Sequence, residues 1–174
     1  NSGYYLLGLI IEKVTGKTYE QNVHDIIFTP LQMTHSSFGC KNTADTNSAT
    51  GYQSITNTYQ IEASAWRWDS TVSYAAGAIC STTGDLYKWA QAIAEQKILS
   101  PSSWKTMLTA QLANYGYGIY ADSVFQKSMY AHGGGVPGFI SYLSYFPADD
   151  VSIILLCNQG WFGEALNEVN IDLS

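Results

Sequence analysis

Basic residues are scarce in this chain. Eight Lys and Arg stand against fourteen Asp and Glu in 174 residues, a formal net charge of −6. They are scattered and never form a run, which argues against nucleic acid or an anionic membrane surface as a partner. Charge of either sign is thin, at 13%, while hydrophobic residues reach 46%, a globular rather than a disordered composition. Cysteine is scarce as well. Cys40, Cys80 and Cys157 are odd in number and widely spaced, so no disulfide framework or CxxC pair is read from them. Cys80 and Cys157 sit in apolar contexts and are expected to be small buried hydrophobes. Long apolar runs are missing too. Leu6 to Ile11 includes Gly8 and is followed by Glu12 and Lys13, which is far too short to span a bilayer. It also lacks the basic start of a signal peptide. The first residue is Asn1 and the first Met is Met33, so the chain is expected to be a piece of something longer. Its length suits one domain with a core and is short for two.

Aromatic residues are plentiful. Thirteen Tyr and five Trp bury much area yet keep a polar tip, which suits clefts as well as cores. Leu7, Ile10, Ile11 and Val14 fall on one helical face, and Gly16 follows as a helix-ending residue. Thr18 and Gln21 have capping-box spacing, so a second helix starts there, buries Val23, Ile26 and Ile27, and stops near Pro30. Residues 34 to 50 read as irregular surface. Gly51 to Gln60 reads as a hairpin around Thr56-Asn57, and residues 63 to 76 as a long ordered loop. A third helix is capped by Thr82 or Thr83 and carries Asp85 in its first turn. Its apolar face is Leu86, Trp89, Ala90, Ile93 and Ala94. Ser100-Pro101 opens a fourth helix with Trp104, Met107 and Leu108.

Strand character begins after Tyr115. Tyr117 to Tyr120 and Ser128 to Ala131 read as strands, the second running into a glycine-rich turn. Phe139 to Phe146 and Val151 to Cys157 read as an antiparallel hairpin, and Leu166 and Val169 mark a last helix. Helices first and consecutive strands later make an α+β pattern with an antiparallel sheet flanked by helices.

The sharpest motif is His132-Gly133-Gly134-Gly135-Val136-Pro137-Gly138-Phe139. Glycine lets a backbone come close to a ligand, and a bare strand edge can offer N–H groups to an oxyanion. His132 beside it is of the residue type that titrates near neutral pH. A flexible hairpin with an incidental His is the competing reading. The run is not a dinucleotide motif, because a strand and not a helix follows it. His24, His35 and Cys40 have no familiar metal-ligand spacing, and no carboxylate pair reads as a glycosidase couple. No metal or organic cofactor is implied.

Several segments, in order, resemble the serine β-lactamase-like family of class C β-lactamases, D,D-peptidases, D-aminopeptidases and related esterases. Asn1-Ser2-Gly3-Tyr4 running into Leu7-Gly8-Leu9-Ile10-Ile11-Glu12 looks like the Tyr-x-Asn motif and its helix. Phe28-Thr29-Pro30-Leu31-Gln32-Met33, Ala76 to Leu86, Tyr115-Gly116-Tyr117-Gly118, the His132 segment and Ile153 to Asn158 are similar to further family segments. The resemblance covers almost the whole chain.

That resemblance implies a β-lactamase/transpeptidase-like fold and an acyl-enzyme made by a Ser of a Ser-x-x-Lys motif. The usual order puts that motif, and the Tyr of Tyr-x-Asn, before Asn1. This chain is therefore expected to be the carboxy-terminal portion of one domain. Ser102-Ser103-Trp104-Lys105 has the spacing but opens the fourth helix, out of order, and is read as coincidence. By the resemblance, Asn1 is the Asn of Tyr-x-Asn; helix capping is its other reading. His132 takes the place of the Lys of Lys-Thr-Gly, Gly133 that of its Thr and Gly134 that of its Gly. The Gly135 N–H would be half of an oxyanion hole, and Gly138 belongs to the same substrate-binding segment. A His in place of a fixed Lys charge weakens recognition of a substrate carboxylate. A peptidase, amidase or esterase is thus expected rather than an efficient β-lactamase, with a small-molecule or peptide substrate and the missing upstream segment as partner. A non-catalytic binding relative is the alternative, and an aromatic-rich carbohydrate-binding module a more distant one. The resemblance favours a periplasmic or secreted protein.

Overall fold

A computed structural model describes residues 1–39, 48–54, 61–63 and 69–160. The chain divides into two compact units. One comprises Asn1–Ala49 and Trp66–Lys88, the other Thr50–Ala65 and Trp89–Ser174.

The first unit begins with helix α1, Ser2–Thr15. Gly16 ends it at φ 69°, in the left-handed region where glycine carries no side-chain penalty, as the sequence predicts. The expected face of α1 is present but not buried. Leu7, Ile10 and Val14 are 49%, 56% and 79% exposed. Only Gly8 is buried, because Tyr74 and Ala75 lie against it; a Cβ there would sit 2.4 Å from Ala75 Cβ. Helix α2, Tyr19–Val23, has the predicted capping box between Thr18 and Gln21 and continues as a wider π turn over His24–Phe28. That widening changes which side chains face inward. Val23 and Phe28 are buried, whereas Ile26, expected in the core, is exposed.

Strand β1, Ser37–Phe38, pairs antiparallel with β4, Ile79–Cys80. Between them in sequence lie β2 (Tyr52–Ser54) and β3 (Ile61–Ala63) of the second unit, then α3 (Ser70–Ser73) and a 3-10 turn (Tyr74–Ala76). Part of the stretch read as a long loop is therefore helical. Asp69 caps α3 by accepting the Thr71 N–H at 2.8 Å, a signal a loop reading passes over. Tyr74 has φ 41° and ψ −129°, a costly conformation for a side-chain-bearing residue. The rings of Tyr5, Tyr19 and Phe38 hold it from three sides, with centroids 4.9, 5.3 and 6.1 Å away. Burial, then the neighbouring Glu12, push its phenol up to about 12.

Asp85 closes this unit. It stands in the first turn of α4, Thr83–Ala94, is 1% exposed, and accepts three hydrogen bonds. His35 N–H donates at 2.7 Å, Ser36 Oγ at 2.9 Å and Lys88 Nζ at 2.7 Å. Burial alone would raise its pKa. The Lys88, His35 and Ser36 donors outweigh burial and hold the carboxyl below its usual range. Thr82 Oγ1 accepts the Asp85 N–H at 3.3 Å, so Thr82 is the capping hydroxyl. Cys80 is disulfide-bonded, which corrects its reading as a simple buried hydrophobe; its partner lies outside the described residues. Cys157, in the other unit, is a half-buried free thiol.

The second unit is built on an antiparallel four-stranded sheet in the order β5-β6-β7-β8. These are Tyr120–Val124, Lys127–Val136, Phe139–Phe146 and Val151–Cys157. The β7–β8 hairpin is the one predicted. Helix α5, Pro101–Leu108, has the predicted Ser100 cap and Pro start. Its Trp104 is fully buried with Ile93, Ile119 and Tyr145, and Trp89 and Tyr130 pack against that cluster. Trp104 Nε1 donates to Lys97 O at 2.7 Å, so the indole is buried without stranding its N–H. A second cluster, Met129, Ala131, Phe146 and Ile153, lines the other face of the sheet. Strands β2 and β3 pair as a hairpin; its second strand begins at Ile61, beyond the predicted limit. The expected turn at Thr56-Asn57 and the helix at Leu166 and Val169 lie outside the described residues.

The fold is thus α+β with an antiparallel sheet, as the sequence predicts. No helix among the described residues is long and apolar enough to cross a membrane.

Candidate functional site

The glycine run is not a turn. Gly133, Gly134 and Gly135 are interior residues of β6, paired with Tyr142, Ser141 and Ile140 of β7. The turn is Pro137-Gly138 alone, with Gly138 at φ 84°. Proline first and a left-handed glycine second is the pairing a tight type II turn demands. Each glycine has a β7 side chain lying across it. A Cβ on Gly133 would meet Tyr142 Cδ2 at 3.2 Å, one on Gly134 the Ser141 hydroxyl at 3.1 Å, and one on Gly135 the Ile140 Cδ1 at 3.2 Å. The absent side chains thus leave a strand that is flat and closely covered from β7.

The other edge of this strand differs. Strand β5 pairs with β6 only from Lys127 to Ala131. From His132 to Val136 no strand among the described residues takes that edge. Alternate residues there present backbone N–H and C=O groups outward. His132 stands where the pairing stops.

The neighbourhood of His132 is aromatic. Its Nε2 is 2.9 Å from Tyr115 Oη. The Tyr115 and Tyr120 rings lie 5.8 and 5.9 Å from the imidazole, and 4.6 Å from each other in an edge-on arrangement. Tyr115 precedes the strand the sequence predicts at Tyr117 to Tyr120. The strand itself starts at Tyr120, and residues 115–119 form a compact turn. Two glycines make that turn possible. Gly116 passes so close to α5 that a Cβ would lie 2.2 Å from Met107 O, and Gly118 has φ 82°. Main-chain bonds fix the turn further: Tyr117 N–H donates to Met107 O at 3.0 Å and Gly116 N–H to Ile119 O at 2.8 Å. The Tyr-Gly-Tyr-Gly sequence is therefore a device that aims Tyr115 at His132.

A cleft of about 400 Å³ adjoins His132, lined also by Gly133, Tyr120, Asp122, Met129 and Tyr142. Burial, then the charges of Asp122 and Tyr120, raise the Tyr142 phenol above its ordinary pKa. Tyr142 is thus a neutral donor here at any physiological pH. Asp122 accepts from Asn114 Nδ2 at 3.1 Å.

His132, Gly133, Gly134, Gly135 and Gly138 are brought together on one hairpin. Asn1 belongs to the other unit, at the exposed N-cap of α1, and its side chain makes no capping hydrogen bond. Ser102 Oγ is 2.9 Å from Ser100 Oγ at the start of α5, within the cap of that helix. His24 Nδ1 is paired with Thr29 Oγ1 and His35 Nδ1 with Thr34 Oγ1. Sequence reasoning missed the Tyr115–His132 pair. Its signal is the glycine spacing after Tyr115, of which Gly118 falls inside the strand that the sequence predicts at Tyr117 to Tyr120.

Comparison with known proteins matches residues 1–170 to the Beta-lactamase family. PbpX of Bacillus subtilis, named as a penicillin-binding protein, is 32% identical over 98% of this chain and 42% of its own length. The D-amino acid amidase of Ochrobactrum anthropi SV3, complexed with L-phenylalanine, is 25% identical with a TM-score of 0.80, over 98% of this chain and 56% of that one. A penicillin binding protein from Bacillus halodurans superposes at TM-score 0.82 over 99% of this chain and 54% of its own, at 21% identity. The chain thus spans about half, or less, of the length of the proteins it matches.

Proposed function

This chain belongs to the Beta-lactamase family, and we propose that it is the portion of a serine acyl-hydrolase that binds substrate beside the reacting carbonyl. The observation that carries this reading is the edge of β6 from His132 onward, which no strand among the described residues takes. A substrate amide laid along that edge would find backbone partners, and the Gly135 N–H would supply half of an oxyanion hole. The nucleophile's own N–H would supply the other half. His132 would orient the far side of the substrate, with Gly133, Gly134 and Gly138 adding no side chain of their own along that edge. Asn1, at the start of α1 in the other unit, keeps the role that the family resemblance gives it, as the Asn of Tyr-x-Asn.

The chemistry then runs through an acyl-enzyme. In this reading a Ser of a Ser-x-x-Lys pair on an upstream segment of the complete protein attacks the carbonyl; the leaving amine or alkoxide takes a proton and departs; water then cleaves the ester. The same upstream segment is the proposed partner of α1, whose Leu6, Leu7, Ile10 and Val14 are all close to half exposed or more. The substrates are D-amino-acid peptides or small esters, with penicillins turned over inefficiently, because a histidine replaces a fixed positive charge and Gly133 a hydroxyl. The disulfide at Cys80 supports an oxidising compartment.

Intact mass spectrometry of the complete protein, before and after a fluorophosphonate or fluorescent penicillin probe, tests the reading. One covalent adduct is expected. No adduct with either probe would reassign the protein as a non-catalytic binding relative, and rapid turnover of penicillin would remove the preference for amides and esters.

A further inference from the structure

Tyr115 and His132 make a contact that the acyl-transfer scheme does not use. The phenol oxygen lies 2.9 Å from Nε2. Among the described residues, no group bonds the other ring nitrogen, Nδ1, and the His132 side chain is exposed. A neutral imidazole carries one proton, and the bond made at one nitrogen decides where it sits. Two arrangements satisfy the distance: the phenol donates to a bare Nε2, or an Nε2–H donates to the phenol oxygen. The first is the stronger bond. A phenol is a good donor whose oxygen lone pair is drawn into its ring, and an unprotonated imidazole nitrogen is a strong neutral acceptor.

We propose that Tyr115 is a positioning residue that selects the ring tautomer of His132, holding the proton on Nδ1 and so presenting an N–H donor to substrate. The inference rests on reading His132 as a substrate-binding residue. A neutral His132 then still donates a hydrogen bond to a substrate carboxylate or carbonyl, from the position where the family's lysine would place an ammonium. Without the phenol, the ring is free to turn and to carry its proton on either nitrogen.

The surrounding geometry is what such a role needs. Tyr115 is held by its own backbone on both sides: its N–H donates to Leu112 O at 2.9 Å, and its carbonyl accepts from Gln111 N–H at 2.9 Å. Its ring packs edge-on against Tyr120, which lies at 35° to the imidazole. The imidazole is thus framed by one ring that hydrogen-bonds it and a second that limits its rotation. Gly116, which cannot accept a Cβ against Met107 O, keeps the phenol at this reach.

The test uses the complete protein with 15N-labelled histidine. Long-range 1H–15N spectra at a pH where the ring is neutral assign the proton to Nδ1 or Nε2, with His132→Gln identifying the resonance. The expected wild-type result is Nδ1–H, shifting toward Nε2–H in Tyr115→Phe, which keeps the ring and removes only the hydroxyl. An Nε2–H tautomer in the wild type overturns the proposal, whatever the activity. In kinetics, Tyr115→Phe is expected to weaken acylation by a carboxylate-bearing fluorescent penicillin about tenfold, the loss of one charge-assisted hydrogen bond. That loss should fall on KM more than on kcat. Acylation by p-nitrophenyl acetate, which has no carboxylate, should stay within about twofold of wild type. Equal losses with both probes would mean a merely structural tyrosine and also overturn the proposal. If the wild-type protein reacts with neither probe, the hydrolase reading fails, and the spectra still decide the tautomer.

Discussion

Helices α1 and α4 carry the same kind of message in their sequences and meet opposite fates. Each shows apolar residues at helical spacing on one face. In α4 that face is largely closed: Ala90 is 0% and Ile93 2% exposed, and Leu86, Trp89 and Ala94 are half-buried. In α1 it is open, with Leu7, Ile10 and Val14 facing solvent. Periodicity states that a face needs a partner. It does not state that the partner lies in the same 174 residues. Burying a side chain such as Ile10 or Leu7 is worth about 1.5–3 kcal/mol, so an open face of this size is a strong drive to associate.

The largest way to break the comparison is at the partner of α4. In the complete protein Trp104→Ala should cost about 4 kcal/mol, because the indole is fully buried against Ile93 and Tyr145. Urea denaturation measures it, and a cost below about 1 kcal/mol would mean that the cluster repacks without it.

Next comes the anchor at the start of α4. Asp85→Ala should cost about 3 kcal/mol, by removing a buried acceptor from His35, Ser36 and Lys88. The pH dependence follows from the lowered pKa of Asp85. Between its folded value and the ordinary value of 3.8, the unfolded chain binds more protons than the folded one. The stability is therefore full above pH 3.8 and lost as pH falls through the folded value. The variant should lose that acid-side slope, which thermal melts across pH 2 to 6 would reveal.

A smaller effect sharpens the comparison directly. Ile10→Ala should be within about 0.5 kcal/mol of neutral in this chain alone, where the side chain is exposed. In the complete protein it should cost about 2 kcal/mol or more, if the upstream segment covers α1. Equal values in both would leave the face unpartnered. The chain alone should also self-associate in sedimentation, and replacing Leu6, Ile10 and Val14 by Lys should reduce this.

The smallest expected effect is none. Ser102→Ala and Lys105→Ala should leave probe acylation of the complete protein within about twofold of wild type, because this pair sits in and after the cap of α5. A lost adduct in Ser102→Ala would reverse the assignment of the nucleophile.

How legible the site was depended on range. The capping box at Thr18 and Gln21, the glycine stop at Gly16 and the Ser100-Pro101 start are all signals read within a few residues, and all are present. The β7–β8 hairpin was legible for the same reason. The glycine run misled, because three glycines look like a turn by local preference, whereas here they form a strand with β7 side chains lying over them. Ile26 misled because the π turn at His24–Phe28 shifts the inward face by one residue.

By itself the sequence determined the α+β order, most helix starts and stops, the strands of the last hairpin, and the place of His132 beside a stretch without side chains. These follow from backbone preferences and hydrophobic spacing, which act locally. Only the tertiary structure decided which faces close, where β5 abandons the edge of β6, and that Tyr115 reaches His132 across 17 positions of chain or that Asp85 meets His35 across 50. Such contacts depend on how distant segments fit together, and no local preference carries that information.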